Sequence, residues 1–167
     1  MINKLRKQTI RKQLLIKRNT LSQKFILEKS KIIIENFIKL PKYQQSKNIM
    51  LYISTKKEVQ TLNILENAQE DNKKIYIPLI DQNEFQLIPS LVTDFNELAL
   101  GSLGIYQPKE EFYRFYSPKV LDLVVVPGVG FTEQGHRLGR GRGYYDRFLK
   151  KLHDKASSVG LAFEMQV

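Results

Sequence analysis

The chain lacks cysteine and tryptophan altogether, and it carries only two histidines in 167 residues. Zero cysteine excludes both a disulfide framework and a thiolate metal site. No apolar run approaches membrane-spanning length, because the longest candidates are interrupted at Asp122 or Pro127. There is no internal repeat and no low-complexity linker, although residues 109–119, with four aromatics and Pro118, read as a surface loop. Acidic residues are scarce, 17 against 27 Lys and Arg, which leaves a formal net charge of +10. None precedes Glu28, so the amino-terminal stretch imitates a mitochondrial presequence. Its apolar spacing favours structural helices instead. A chain of this length buries roughly 70% of the surface it would expose unfolded, which suits one modest domain spanning residues 1–167.

Glycine is sparse too, with nine in all, but three alternate with arginine in Arg-Leu-Gly-Arg-Gly-Arg-Gly-Tyr-Tyr-Asp-Arg-Phe-Leu, residues 137–149. Gly139, Gly141 and Gly143 let the backbone come close to a ligand, so that amide N–H groups converge on an anion. Arg137, Arg140 and Arg142 supply charge. The residues from Tyr144 to Leu152 then read as a helix whose positive end faces the same anion. Upstream, the run from Val120 to Pro127 is continuously apolar apart from Asp122 and rich in valine, as in a strand buried on both faces of a parallel sheet. Open α/β sheets bind ligands at the carboxyl ends of such strands.

The spacing is not that of a Walker A loop, since no Gly-Lys-Ser/Thr follows, nor of the dinucleotide Gly-x-Gly-x-x-Gly, whose third glycine falls one residue later. Taken alone, glycine alternating with arginine also occurs in flexible RNA-binding segments, or simply as a tight turn. A second class of function, a basic nucleic-acid-binding protein, is therefore open. Lysines scattered along the whole chain, and an arginine loop embedded in an α/β pattern, argue against it.

The other elements follow from periodicity. Residues 3–18 and 21–40 are expected as helices covering the sheet. Thr20 with Gln23 gives a capping-box pattern, and Ile26, Ile33, Phe37 and Leu40 recur at helical spacing up to Pro41. Asn48–Ser54, Lys73–Ile80, Glu84–Pro89 and Ser158–Phe163 read as strands, with Asp81-Gln-Asn83 as a turn.

Taken together, Leu121-Asp-Leu-Val-Val-Val-Pro-Gly-Val-Gly-Phe131 and the 137–149 segment resemble the 5-formyltetrahydrofolate cyclo-ligase family, also called methenyltetrahydrofolate synthetases. Leu5-Arg6, Tyr52–Thr61, Ile77-Pro78, Gly104–Pro108 and Val159–Phe163 fit as well, so the likeness spans nearly the whole chain. The resemblance implies a three-layer α/β/α domain with a mostly parallel sheet, similar to the NagB/RpiA/CoA transferase-like fold. It implies a cytoplasmic, monomeric enzyme of one-carbon metabolism, with a dimer as the alternative. Its substrates would be two small molecules, ATP and a reduced folate, with Mg²⁺ required and ADP and phosphate released.

By the same resemblance Arg6, Arg137, Leu138, Gly139, Arg140, Gly141, Arg142, Gly143, Tyr144 and Tyr145 bind ATP. Thr55 and Gln60 bind the folate together with Arg140, Gly141, Arg142, Gly143 and Tyr144, and Glu58, in the same loop, is read from its place there as a polar anchor for that substrate. Arg140, Arg142 and Tyr145 are the catalytic candidates and Asp146 the metal ligand. Two departures stand out: Ile2 occupies the place of a family lysine, for which Lys4 or Lys7 would substitute, and Gln60 stands where an acidic residue is common. The chain also stops at Val167, before a Pro/His/Asp-containing segment and final strand usual in the family, which leaves a shortened or repurposed member as the alternative to an active enzyme.

Overall fold

The computed structural model describes residues 2–101 and 104–167, with the side chains of residues 2 and 3 left aside. Helix α1 spans Ile2–Asn19 and α2 spans Gln23–Ile38, followed by the short α3, Pro41–Gln45. Strand β1, Asn48–Met50, leads through a loop to α4, Leu62–Glu70. Strands β2, Lys74–Asp81, and β3, Gln86–Val92, form a hairpin. Strands β4, Leu98–Leu100, and β5, Tyr106–Pro108, pair as a small ribbon. After β6, Leu123–Val126, a second ribbon joins β7, Gly130–Phe131, to β8, Arg137–Leu138. Helix α5, Tyr144–Phe148, and strand β9, Ser157–Gly160, complete the order.

The central sheet runs β3-β2-β1-β6-β9. It is parallel from β2 to β9 and antiparallel only at β3, so it is mixed but mostly parallel. All four residues of β6 are buried, as its unbroken apolar composition requires of a strand covered on both faces. Alternation divides them: Leu123 and Val125 join Ile49, Ile75 and the helices α2 and α4, whereas Val124 and Val126 join Met50, Tyr76 and Phe148 of α5. Helices thus lie on both faces of the sheet. Among the described residues no helix is long and apolar enough to cross a membrane.

Asp122 sits at the amino end of this arrangement. Its Oδ2 accepts the N–H groups of Lys47 and Asn48 at 2.9 and 2.8 Å, while its own N–H and carbonyl bond Asn48 and Ser157, each at 2.9 Å. One residue therefore ties the starts of β1, β6 and β9 together.

Several local expectations are corrected. The cap of α2 is Ser22, whose hydroxyl accepts the Phe25 N–H at 3.2 Å, and not Thr20, whose hydroxyl donates to the Lys17 carbonyl and closes α1. Ser22 has the extended backbone an N-cap needs. The inward stripe of α2 is Ile26, Ser30, Ile34 and Phe37; Ile33 is half-buried, and Leu40, past the end of the helix, is 38% exposed. Helix α1 does little covering, since among its described side chains only Arg18 is buried. The surface loop 109–119 is more ordered than expected, with 3-10 turns at Glu110–Phe112 and Pro118–Val120 and a bridge from Phe115 to Ser90.

That loop is held by one carboxylate. Glu97 pairs with both terminal nitrogens of Arg114, at 2.7 and 3.1 Å, and accepts the hydroxyl and N–H of Thr93. The Arg114 hydrogen bonds, reinforced by Thr93 and opposed by burial, hold its carboxyl at about 2 instead of the ordinary 4.5. A carboxyl depressed on folding contributes stability above its unfolded value and loses it as pH falls toward the folded one. Melting temperature is accordingly expected to drop between about pH 4.5 and about pH 2, and Glu97→Gln should flatten that drop while lowering stability at neutral pH. Parallel melting curves for parent and variant across the window would remove Glu97 from this role.

Candidate active site

Because β1 and β6 are parallel neighbours, their carboxyl ends emerge at the same edge of the sheet. The 55–61 loop after β1, the 139–143 loop after β8, helix α5 and one side of α1 meet there around a cavity of about 450 Å³. Its walls divide by chemistry. Ile53, Pro78, Ile80, Leu87 and Ile105 form an apolar side, Tyr52, Tyr106, Tyr144 and Tyr145 supply rings, and Lys7, Arg11, Arg137, Arg140 and Arg142 supply positive charge.

The glycines adopt the backbone shapes their positions demand. Gly141 has φ +104° and Gly143, at the start of α5, φ +70°, both in the region that L side chains rarely adopt. Side chains then hold the loop from three directions. Arg11 Nε donates to the Gly139 carbonyl at 2.8 Å. Arg137 Nη1 donates to the Pro127 carbonyl at 2.9 Å, Nη2 pairs with Asp146 Oδ1, and the guanidinium lies 5.6 Å from the Tyr145 ring centre. Arg147 bonds the Phe85 carbonyl at 2.7 and 3.0 Å and the Arg142 carbonyl at 3.1 Å, tying the tip of the β2–β3 hairpin to the loop.

Opposite the glycine loop lies Glu58, only 8% exposed. Its Oε2 accepts the Thr55 N–H at 2.9 Å, and its Oε1 meets Arg140 Nη2 at 2.8 Å and Arg18 Nη1 at 3.5 Å. Burial works against its charge, yet the Thr55 N–H, Arg140 and Arg18 outweigh it and hold the carboxyl below the ordinary carboxylate range. Burial raises the phenol pKa of both Tyr52 and Tyr145, so each hydroxyl keeps its proton at neutral pH.

The expected site residues fall into two groups. Thr55, Glu58 and every residue from Arg137 to Asp146 line the cavity. Arg6 and Gln60 do not. Arg6 is exposed on α1, and Gln60 Nε2 is turned back onto the carbonyls of Thr55 and Glu58, at 2.9 and 2.7 Å, where it braces its own loop. In place of Arg6 the helix presents Lys7 and Arg11. These are four residues apart and so on one helical face, a spacing visible in the sequence. Lys4 is exposed and does not line the cavity, whereas Lys7 does. Tyr52, Ile53, Pro78 and Ile105 lie in segments that carried the family resemblance, but no pattern in the sequence marked them, or Ile80 and Leu87, as walls of the cavity.

Charge in the cavity is unbalanced. Asp146 matches Arg137 and Glu58 matches Arg140, while Lys7, Arg11 and Arg142 have no carboxylate partner among the described residues. Such a surface receives an anion. The described residues hold no cluster of three His, Asp or Glu able to cage a metal. Asp146, 69% exposed at its side chain, is a single carboxylate on the rim. That fits Mg²⁺, which keeps most of its waters and takes further oxygens from a bound phosphate.

Fold and site together define an α/β protein with a positively charged cavity at the carboxyl edge of its sheet, walled by a loop built from glycine and arginine. Comparison with known proteins sharpens this. The chain belongs to the 5-formyltetrahydrofolate cyclo-ligase family, whose model matches residues 3–167. It is 34% identical to the mouse 5-formyltetrahydrofolate cyclo-ligase over 170 residues, covering 96% of this chain and 84% of the relative. A probable 5-formyltetrahydrofolate cyclo-ligase of Caenorhabditis elegans is 33% identical over 145 residues, covering 81% and 70%. Among solved structures, the 5,10-methenyltetrahydrofolate synthetase of Aquifex aeolicus superposes with a TM-score of 0.82 at 34% identity, covering 96% of this chain and 79% of that one. That of Mycoplasma pneumoniae gives 0.72 at 25% identity, covering 96% and 93%.

The backbone at Gly141 supplies a direct check on the loop. Forcing a β-branched side chain into that conformation costs ~1–3 kcal/mol, and Gly141→Val should therefore lose roughly tenfold or more in ATP affinity while its circular dichroism stays that of the parent. A folded variant that binds ATP as tightly as the parent would show that the loop does not hold phosphate.

Proposed function

We propose that the chain closes 5-formyltetrahydrofolate to 5,10-methenyltetrahydrofolate at the expense of ATP, releasing ADP and phosphate. The observation that carries this reading is the cavity's pairing of an unbalanced cationic loop with an apolar, tyrosine-lined wall. One half suits a triphosphate and the other a planar, partly apolar ring system.

The formyl oxygen is a poor leaving group. It takes the γ-phosphoryl group of ATP, N10 attacks the activated formyl carbon and loses its proton, and the oxygen departs as phosphate. No protein nucleophile is needed, so the residues work by positioning and by neutralising charge. Lys7, Arg11, Arg140 and Arg142, with the loop N–H groups, hold the triphosphate; Lys7 and Arg11 take the part first expected of Arg6. Glu58, ionised and buried, accepts N–H groups from the folate, with Thr55 beside it and Gln60 supporting the loop from behind. Tyr144 and Tyr145 border both ligands. Asp146 would hold Mg²⁺ with phosphate oxygens, and the ion would neutralise part of the triphosphate charge.

The reading extends to one domain of NagB/RpiA/CoA transferase-like type, supported by the parallel β2-β1-β6-β9 core, working as a monomer in the cytoplasm.

Near-ultraviolet absorbance of the protein with 5-formyltetrahydrofolate and Mg²⁺ should rise when ATP is added, as the conjugated methenyl product forms. A flat trace from folded protein would count against the activity. Replacing Arg140 and Arg142 together with alanine should lower kcat/KM by a factor of order 10² or more. Turnover within a few-fold of the parent would sink their catalytic assignment.

A further inference from the structure

Glu58 is buried against two arginines that differ in freedom. Arg140 belongs to the glycine loop, and its side chain is 57% exposed; Arg18 comes from the last turn of α1, and its side chain is 5% exposed. Both converge on Oε1, with Arg140 at hydrogen-bond distance and Arg18 farther off at 3.5 Å. Arg18 Nε, also buried, has no hydrogen-bond partner among the described residues. The buried arginine is thus incompletely engaged, while the exposed one makes the shorter contact with the carboxylate.

An anion entering the glycine loop changes this balance. Arg140 is exposed and held to Glu58 through Nη2 alone, so a phosphate in the loop competes for its guanidinium and draws it away from the carboxylate. Leaving a buried carboxylate without a partner is heavily unfavourable. From this arrangement we infer that Arg18 is a positioning residue: it is the fixed counter-charge that keeps Glu58 paired when Arg140 turns to the nucleotide. Arg18 does not line the cavity and acts through Glu58. Its guanidinium has donors to spare, Nε among them, with which to close on the carboxylate as Arg140 withdraws. The other groups facing Glu58 cannot take this part, for the Thr55 N–H already serves Oε2, and Tyr52 and Tyr145, the remaining titratable neighbours, stay protonated and uncharged.

The inference rests on the loop being the ATP site, and binding by the parent protein tests that separately. The measurement is ATP affinity in the presence of Mg²⁺, by titration calorimetry, in a double-mutant cycle of Arg18→Met and Glu58→Gln. Arg18→Met should weaken ATP roughly tenfold when Glu58 is present, a coupling within the ordinary range for contacting residues. In the Glu58→Gln background the same change should cost less than about twofold, because no charge is left to strand. An equal loss in both backgrounds, or no loss in either, overturns the inference, since a purely structural arginine would act without regard to the charge at residue 58. Should Arg18→Met fail to fold, Arg18→Lys serves in the same cycle. It keeps the charge without the fork, so its loss should be smaller and should again vanish with Glu58→Gln; equal losses in both backgrounds would overturn the inference. A parent protein that binds no ATP would instead reject the functional reading on which the cycle depends.

Discussion

The site depends on the parallel pairing of β1 with β6. Ile49 lies opposite Leu123 and Met50 opposite Val124, so the two strands advance side by side and release their chains at one edge. An antiparallel pairing would send the two loops to opposite ends of the sheet. Parallel pairing needs helical crossovers, and these bury both faces of β6, which is why Leu123–Val126 is wholly apolar. The chemistry of the cavity, carboxylate on one loop and arginines on the other, is thus a consequence of strand direction.

What could be read from the sequence was what is encoded locally. The apolar run of β6, the glycine-arginine loop and Asp146 are contiguous, and their order of strand, loop and helix is the order found. Glu58 was legible as polar, but not as the buried partner of two arginines, because Arg18 and Arg140 are distant in the chain and only tertiary packing brings them together. Arg6 and Arg11 illustrate the same limit. Both are basic residues on one basic helix, and which face looks inward depends on the rotation of α1 against the rest of the molecule. Gln60 was read by position within a loop whose internal hydrogen bonds decide where its side chain goes.

The cap of α2 and the β7–β8 ribbon were missed for a related reason. Thr20 and Ser22 offer the same hydroxyl, and the choice falls to the one whose backbone is extended where α2 begins. The two-residue strands of the ribbon are too short to show any alternation. They nevertheless carry Arg137 to the carbonyl of Pro127, at the end of β6, and so fix the entry of the glycine loop.

Asp122 joins the starts of β1, β6 and β9 at the end of the sheet remote from the cavity. A slip of one residue in any of these strands would exchange its inward and outward faces, so alignment there must be firmly set. With strand alignment fixed at the far end, the near end is released from that duty. Insertions, deletions and substitutions in the ligand-facing loops can alter reach and selectivity without disturbing how the strands line up. The architecture separates a part that must stay constant from a part that is free to diversify.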